Sequence, residues 1–180
     1  DKFTTDMDDL FRRKLLLHEL FHVLTRNSIG FKRAMYSTIG FTVTDEELEY
    51  PADLKDMRIS NPDVGRYDSY ATFTVNGVPK KCAMLIYAKR PYDTGSFFNY
   101  IEIGFIPYDD NMKPVQEDGA TVIYSYDDID DFFEKVGHNT MYVINPEEIL
   151  ADNFVIAFNN SSPVDTPALR DSIRALMTGE

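Results

Sequence analysis

Two histidines four residues apart, His18 and His22, with Glu19 beside the first, constrain this chain more than any other feature. An α-helix turns once in about 3.6 residues, so a spacing of four puts both imidazoles on one side. Zinc hydrolysis needs such a pair of neutral imidazoles, together with a carboxylate beside the metal's water. Glu19 is placed to reach that water without binding the metal itself. The flanking residues Leu15, Leu16, Leu17, Leu20, Phe21, Val23 and Leu24 predict a helix that is largely buried. The chain holds three histidines, and two stand in this pattern. The plain alternative is a buried helix whose histidines are satisfied by hydrogen bonds in the core.

The remaining composition narrows the setting. With 180 residues, 43% of them hydrophobic, the chain is long enough for a single domain with its own core, read here as residues 1–180. A net charge of −12 leaves no basic stripe to track phosphates, which excludes a nucleic-acid partner and a polybasic membrane surface. No run approaches the roughly 18 apolar residues of a membrane span, so no membrane insertion is expected. The lone Cys82 excludes an internal disulfide framework. The chain opens Asp1-Lys2-Phe3 without an initiator methionine. That start is read as the result of processing, with a signal peptide or N-terminal region removed, and it favours a secreted or periplasmic location. Nothing in the composition fixes an oligomeric state.

Along the chain, the motif helix is expected from about Asp6 to Asn27, capped by Thr5 or Asp6 and ended by Gly30. A shorter helix, about Phe31 to Ile39, stops at Gly40, and residues 41–68 read as irregular. The periodicity then changes. Tyr70 to Val75 and Ala83 to Ala88 flank Asn76-Gly77, a hairpin signal, and Phe97 to Ile106 and Thr121 to Tyr124 read as further strands. An antiparallel sheet of about four strands follows. Asp127 to Val136 reads as an amphipathic helix closed by Gly137, and Met141 to Ile144 as a short extended piece. Asn145-Pro146-Glu147-Glu148 opens a helix to about Phe158, and Pro167 opens a last one ending near Met177. Strands grouped between helices, without βαβ alternation, predict an α+β fold.

A catalytic zinc takes three protein ligands and keeps a fourth position open. The third histidine, His138, follows Gly137 in an expected loop. It does not complete an HExxHxxGxxH pattern, in which Thr25 and Ser28 stand where Gly and His are needed. Glu148 is the better candidate. It lies four residues before Asp152 on one helical face, so one carboxylate can bind zinc while the other accepts the Nδ1 proton of a ligating histidine. HExxH followed by a glutamate on a later helix, with an acidic residue four further on, resembles the gluzincin-type zinc metallopeptidases. The pairing of HELFH with PEEILADNF is also similar to that in a group of bacterial proteins, over most of the chain. The resemblance implies a zincin-like fold, His18, His22 and Glu148 as Zn2+ ligands, Glu19 as general base and Asp152 as the partner of His18. In better-known gluzincins the sheet precedes the motif helix, and its edge strand lies along the substrate. Only 17 residues precede His18, so that strand is expected from the later sheet or from outside this chain.

Other readings stay open for individual residues. Asn145 and Glu148 also fit a capping box, which would make Glu148 structural, and Glu147 is the neighbour able to replace it as ligand. Tyr142 and His138 are candidate donors to an oxyanion. Asn61-Pro62-Asp63 and Arg90-Pro91-Tyr92-Asp93-Thr94-Gly95 read as turns able to rim a cleft, and Phe97, Phe98, Tyr100 and Phe105 as sheet core. The expectation is thus a zinc-dependent metallohydrolase cleaving peptides or proteins. The alternative is a non-catalytic domain that keeps a zincin-like core for interaction or substrate recognition.

Overall fold

The computed structural model describes residues 9–91, 93–96, 99–159 and 164–179. They run in the order α1 (Asp9–Asn27), α2 (Ile29–Ser37), β1 (Phe41–Val43), β2 (Ser69–Val75), β3 (Val78–Ala88), β4 (Ile101–Tyr108), β5 (Gln116–Glu117), β6 (Ala120–Thr121), α3 (Phe132–Val136), α4 (Pro146–Phe158) and α5 (Pro167–Thr178). Helices and sheet are mixed without βαβ alternation. The main sheet is antiparallel in the order β1-β2-β3-β4. Asn76 and Gly77 close the β2–β3 hairpin at φ 48° and 79°, the left-handed conformation that these residue types reach most cheaply.

One face of the sheet, carrying Phe73, Val75, Met84 and Phe105, packs with α1, α2, α4 and α5 in the larger core. The other face, carrying Ala83, Leu85 and Ile106, is covered by Leu48 and Leu54 from the segment between β1 and β2. Covered on both sides, β3 and β4 are buried along continuous runs rather than at alternate positions. No helix among the described residues is long and apolar enough to cross a membrane.

Several expectations need correction. The motif helix is not largely buried: only Phe21, His22 and Thr25 are, while Leu16 is 71% exposed and Leu15, Leu20 and Val23 are exposed too. A surface helix can bury only the stripe that meets its neighbour. Gly30 does not end that helix. It lies in the first turn of α2, which Ser28 caps by accepting the Phe31 N–H. The 41–68 segment holds an edge strand, Phe41–Val43, and a 3-10 turn at Ala52–Met57. Thr121 to Tyr124 does not add a strand to the main sheet. Ala120–Thr121 pairs with Gln116–Glu117, and Tyr124 only bridges Phe105.

The single helix expected from Asp127 to Val136 is split into a 3-10 turn, Tyr126–Asp128, and α3. Asp130 accepts the Gly77 N–H and Asp131 accepts the Thr74 N–H, so these carboxylates fasten the hairpin where a helix would otherwise run on. Met141 to Ile144 forms no strand. The expected cap at Thr5 or Asp6, and Tyr92, Phe97 and Phe98, lie outside the described residues.

Candidate metal centre

α4 is the buried axis of the helical layer. Asn145 caps it by accepting the Glu147 N–H at 2.8 Å, Pro146 opens it, and its residues from Pro146 to Ala151 are all buried. α1 packs along it, with Phe21 against Phe154 at a ring-centroid distance of 5.6 Å. This contact turns the histidine face of α1 toward the carboxylates of α4.

There His18 lies between two carboxylates. Its Nδ1 is 3.2 Å from Asp152 Oδ1, and its Nε2 is 3.1 Å from Glu148 Oε2. His22 Nε2 is 3.9 Å from the same Glu148 oxygen. One ligand atom each of His18, His22 and Glu148 thus falls within 4.8 Å of the others. Ligand atoms around a tetrahedral zinc at 2.0–2.2 Å sit about 3.3–3.6 Å apart, so the three groups would close by up to about 1.5 Å to hold an ion between them. Asn61, from the loop after the 3-10 turn, donates to Glu148 Oε1 at 2.6 Å and leaves Oε2 to face the imidazoles. The carboxylate of Glu148 is therefore engaged by His18 and Asn61.

Glu147, the next residue, points to the other side of His22. It accepts from His22 Nδ1 at 3.1 Å, from Thr25 Oγ1 at 2.5 Å and from the Tyr36 hydroxyl at 2.7 Å. A carboxylate only accepts, so this contact places a proton on His22 Nδ1, while Nε2 faces Glu148 Oε2. That nitrogen is buried and has no hydrogen-bond partner. An unpaired buried donor or acceptor costs about 1–3 kcal/mol, a cost that a cation between the imidazoles and Glu148 removes.

The electrostatics point the same way. The Asp152 hydrogen bond, followed by that to Glu148, holds the His18 imidazolium so firmly that its pKa is pushed up to about 10. Burial by itself would raise the Glu148 carboxyl, but hydrogen bonds from His18 and Asn61 outweigh it and keep the group below its usual range. Without a metal the cluster thus holds its positive charge as a proton on His18, which an ion bound there would displace.

The cluster opens on a cleft of about 700 Å³, within the usual range for a small-ligand site. Glu19, next to His18, is exposed and lines the cleft, and Tyr142 lines it too. Partial burial, then the carboxylates of Glu148, Asp152 and Asp63, hold the Tyr142 phenol above its usual range and keep it a neutral donor. Thr140 donates to Asp152 Oδ2 at 2.5 Å and ties the Tyr142 loop to the cluster. His138 does not line the cleft: it is exposed and stacked on Phe133, at a centroid distance of 5.1 Å. Asp63 rims the cleft, while Arg90, Asp93 and Thr94 meet Tyr100 instead. Among the described residues no strand lines the cleft.

No family model, curated protein or solved structure matches the chain. The reading of the site therefore rests on its own geometry. Five residues at the cluster were not singled out from sequence as partners of the ligands: Asn61, Thr25, Tyr36, Thr140 and, in its place behind His22, Glu147. Two of them carried a signal: Asn61 as part of a turn able to rim a cleft, and Glu147 as the neighbour able to replace Glu148 as ligand.

Proposed function

We propose that the chain is a zinc-dependent metallohydrolase acting on peptide bonds, with a zincin-like pairing of α1 and α4. The observation that carries this reading is the convergence of His18 Nε2, His22 Nε2 and Glu148 Oε2, with each Nδ1 tied to a further carboxylate. Two imidazoles and one carboxylate form a zinc donor set, and they leave room for a fourth ligand from the cleft. Bound there, zinc supplies a Lewis acid that acidifies water and polarises a carbonyl.

The protein's own groups supply the rest. Asp152 and Glu147 fix the tautomers of His18 and His22, so both Nε2 atoms face inward. Glu19 takes the proton of the attacking water and returns it to the leaving amine. Tyr142 keeps its phenolic proton and donates to the oxygen that gains charge at the scissile carbonyl.

Elemental analysis and a broad peptide library test the reading together. The wild-type chain, purified without chelator, should carry about one zinc, and Glu148→Ala should lose most of it. Wild type should cleave library members, and Glu19→Gln should keep zinc while cutting about 10²–10⁴-fold more slowly. The lack of a strand along the cleft among the described residues favours a second reading, a non-catalytic domain that keeps the metal for recognition. Full zinc content without cleavage of any peptide would move the assignment there. A fully active Glu19→Gln protein would remove Glu19 from its role.

A further inference from the structure

His22 meets Glu147 while His18 meets Asp152, so α1 and α4 run in opposite directions. Beyond the cluster the cleft continues between them as a groove. Its walls are Phe11, Lys14 and Leu15 from α1 and Val155 and Ile156 from α4, with Asn159 just past its end. These residues recur at helical spacing, three and four apart, so each helix turns one face into the groove. The acidic lining (Glu19, Asp63, Glu148 and Asp152) gathers at the other end, around the histidines. Lys14 is half-buried, and among the described residues it has no hydrogen-bond or ion-pair partner. In a chain of net charge −12, an ammonium that meets no carboxylate among the described residues and stands beside apolar walls suits an anionic ligand group.

We infer that this groove receives an apolar side chain of the substrate and that Lys14 pairs with a carboxylate next to it. The inference rests on the hydrolase reading of the adjoining cluster and adds a substrate class to it. Lys14 stands one turn before His18, about 6 Å along the helix axis. An extended peptide covers about 3.3–3.6 Å per residue, so the pairing falls one or two residues past a scissile bond held at the histidines. The carboxylate is the C-terminus of a short leaving segment or an acidic side chain at the same distance.

Three probes and two variants test this without any turnover. The full chain, freed of metal by chelation so that no carboxylate can bind a metal instead, is titrated by calorimetry. The probes are N-acetyl-phenylalanine, its C-terminal amide, and N-acetyl-phenylalanyl-aspartate with an amidated C-terminus. Wild type should bind the free acid at least about tenfold tighter than the amide. Lys14→Ala should bring that ratio to about one, and Lys14→Arg should restore it. Stronger binding of the aspartyl probe than of the free acid assigns the carboxylate to a side chain and keeps the site. Equal binding of acid and amide to wild type, or a preference that survives Lys14→Ala, overturns the inference. Loss of the hydrolase reading would appear elsewhere, in zinc content and library cleavage, and would leave this ratio unchanged.

Discussion

Glu147→Gln separates the role of Glu147 from that of Glu148, one residue away. Gln keeps the shape but exchanges one carboxylate oxygen for an amide donor. The carbonyl oxygen can still accept from Thr25 and His22, which share Oε1 in the wild type. The new NH2 then meets the Tyr36 hydroxyl, which donates to Oε2. Tyr36 must turn and accept, and its own proton is stranded at a site only 1% exposed. A buried unsatisfied donor costs about 1–3 kcal/mol, and loss of the charge in the His22 hydrogen bond adds about another 1 kcal/mol. The metal-free protein should therefore lose about 2–4 kcal/mol, read from the shift in its urea midpoint at constant slope.

A second readout addresses function. Removing the carboxylate behind a ligating histidine weakens a metal site about 10–100-fold. Competition against a chromophoric chelator should show that loss for zinc, equal to about 1.4–2.8 kcal/mol. Tyr36→Phe, which leaves the carboxylate and removes one of its three donors, should fall between wild type and Glu147→Gln on both scales. Zinc affinity within threefold of wild type in Glu147→Gln would refute the argument that Glu147 acts through His22. The orphaned Nε2 would then be a feature of packing alone.

Two further predictions concern the scaffold. Lys32 Nζ lies 2.5 Å from Asp68 Oδ1 in a nearly closed environment, so Lys32→Met should strand that carboxylate and cost about 3–5 kcal/mol in denaturant unfolding. A loss below 1 kcal/mol would show that Arg66, 3.8 Å from the other oxygen, takes over the charge. Burial pushes the Cys82 thiol up to about 12, against 9.0 for the free group, so the folded chain should resist thiol reagents that label it at once in urea. Above pH 9 the unfolded chain releases this proton and the folded one does not, so Cys82 makes stability fall as pH rises toward 12. Cys82→Ala should flatten that fall, and an unchanged slope would remove Cys82 as its source.

What could be read in advance follows from how local each signal is. HExxH sets the side of its own helix, Asn145-Pro146 sets the start of α4, and Asn76-Gly77 sets a hairpin. None of these needs knowledge of distant partners. β1 is three residues long and exists through pairing with β2, so no periodicity announced it. The leucines of α1 surround the helix while α4 meets only one stripe of it, so its apolar residues overstate its burial. Glu147 and Glu148 stand about 100° apart on their helix, so which one faces the Nε2 atoms depends on how α1 is set against α4. Asn61 reaches Glu148 across 87 positions of sequence, from a turn whose residues announce a bend but not its partner.

The two histidines are held differently, and the difference bears on where chemistry can occur. Behind His22, Glu147 is fixed by Thr25 and Tyr36, all three buried in the core, so this half of the site cannot move without opening the fold. Behind His18, Asp152 is held by Thr140, on the loop that also carries Tyr142. That half borders the cleft, and Glu19, Tyr142 and Asp63 stand around it. In the proposed hydrolase, a ligand fixed in the core would hold the metal geometry, while the groups bordering the cleft would meet the substrate. A hydrolase needs both. A purely structural metal site has no use for an open side, because all of its ligands would be enclosed. The asymmetry between His22 and His18 is the arrangement that the proposed hydrolase requires.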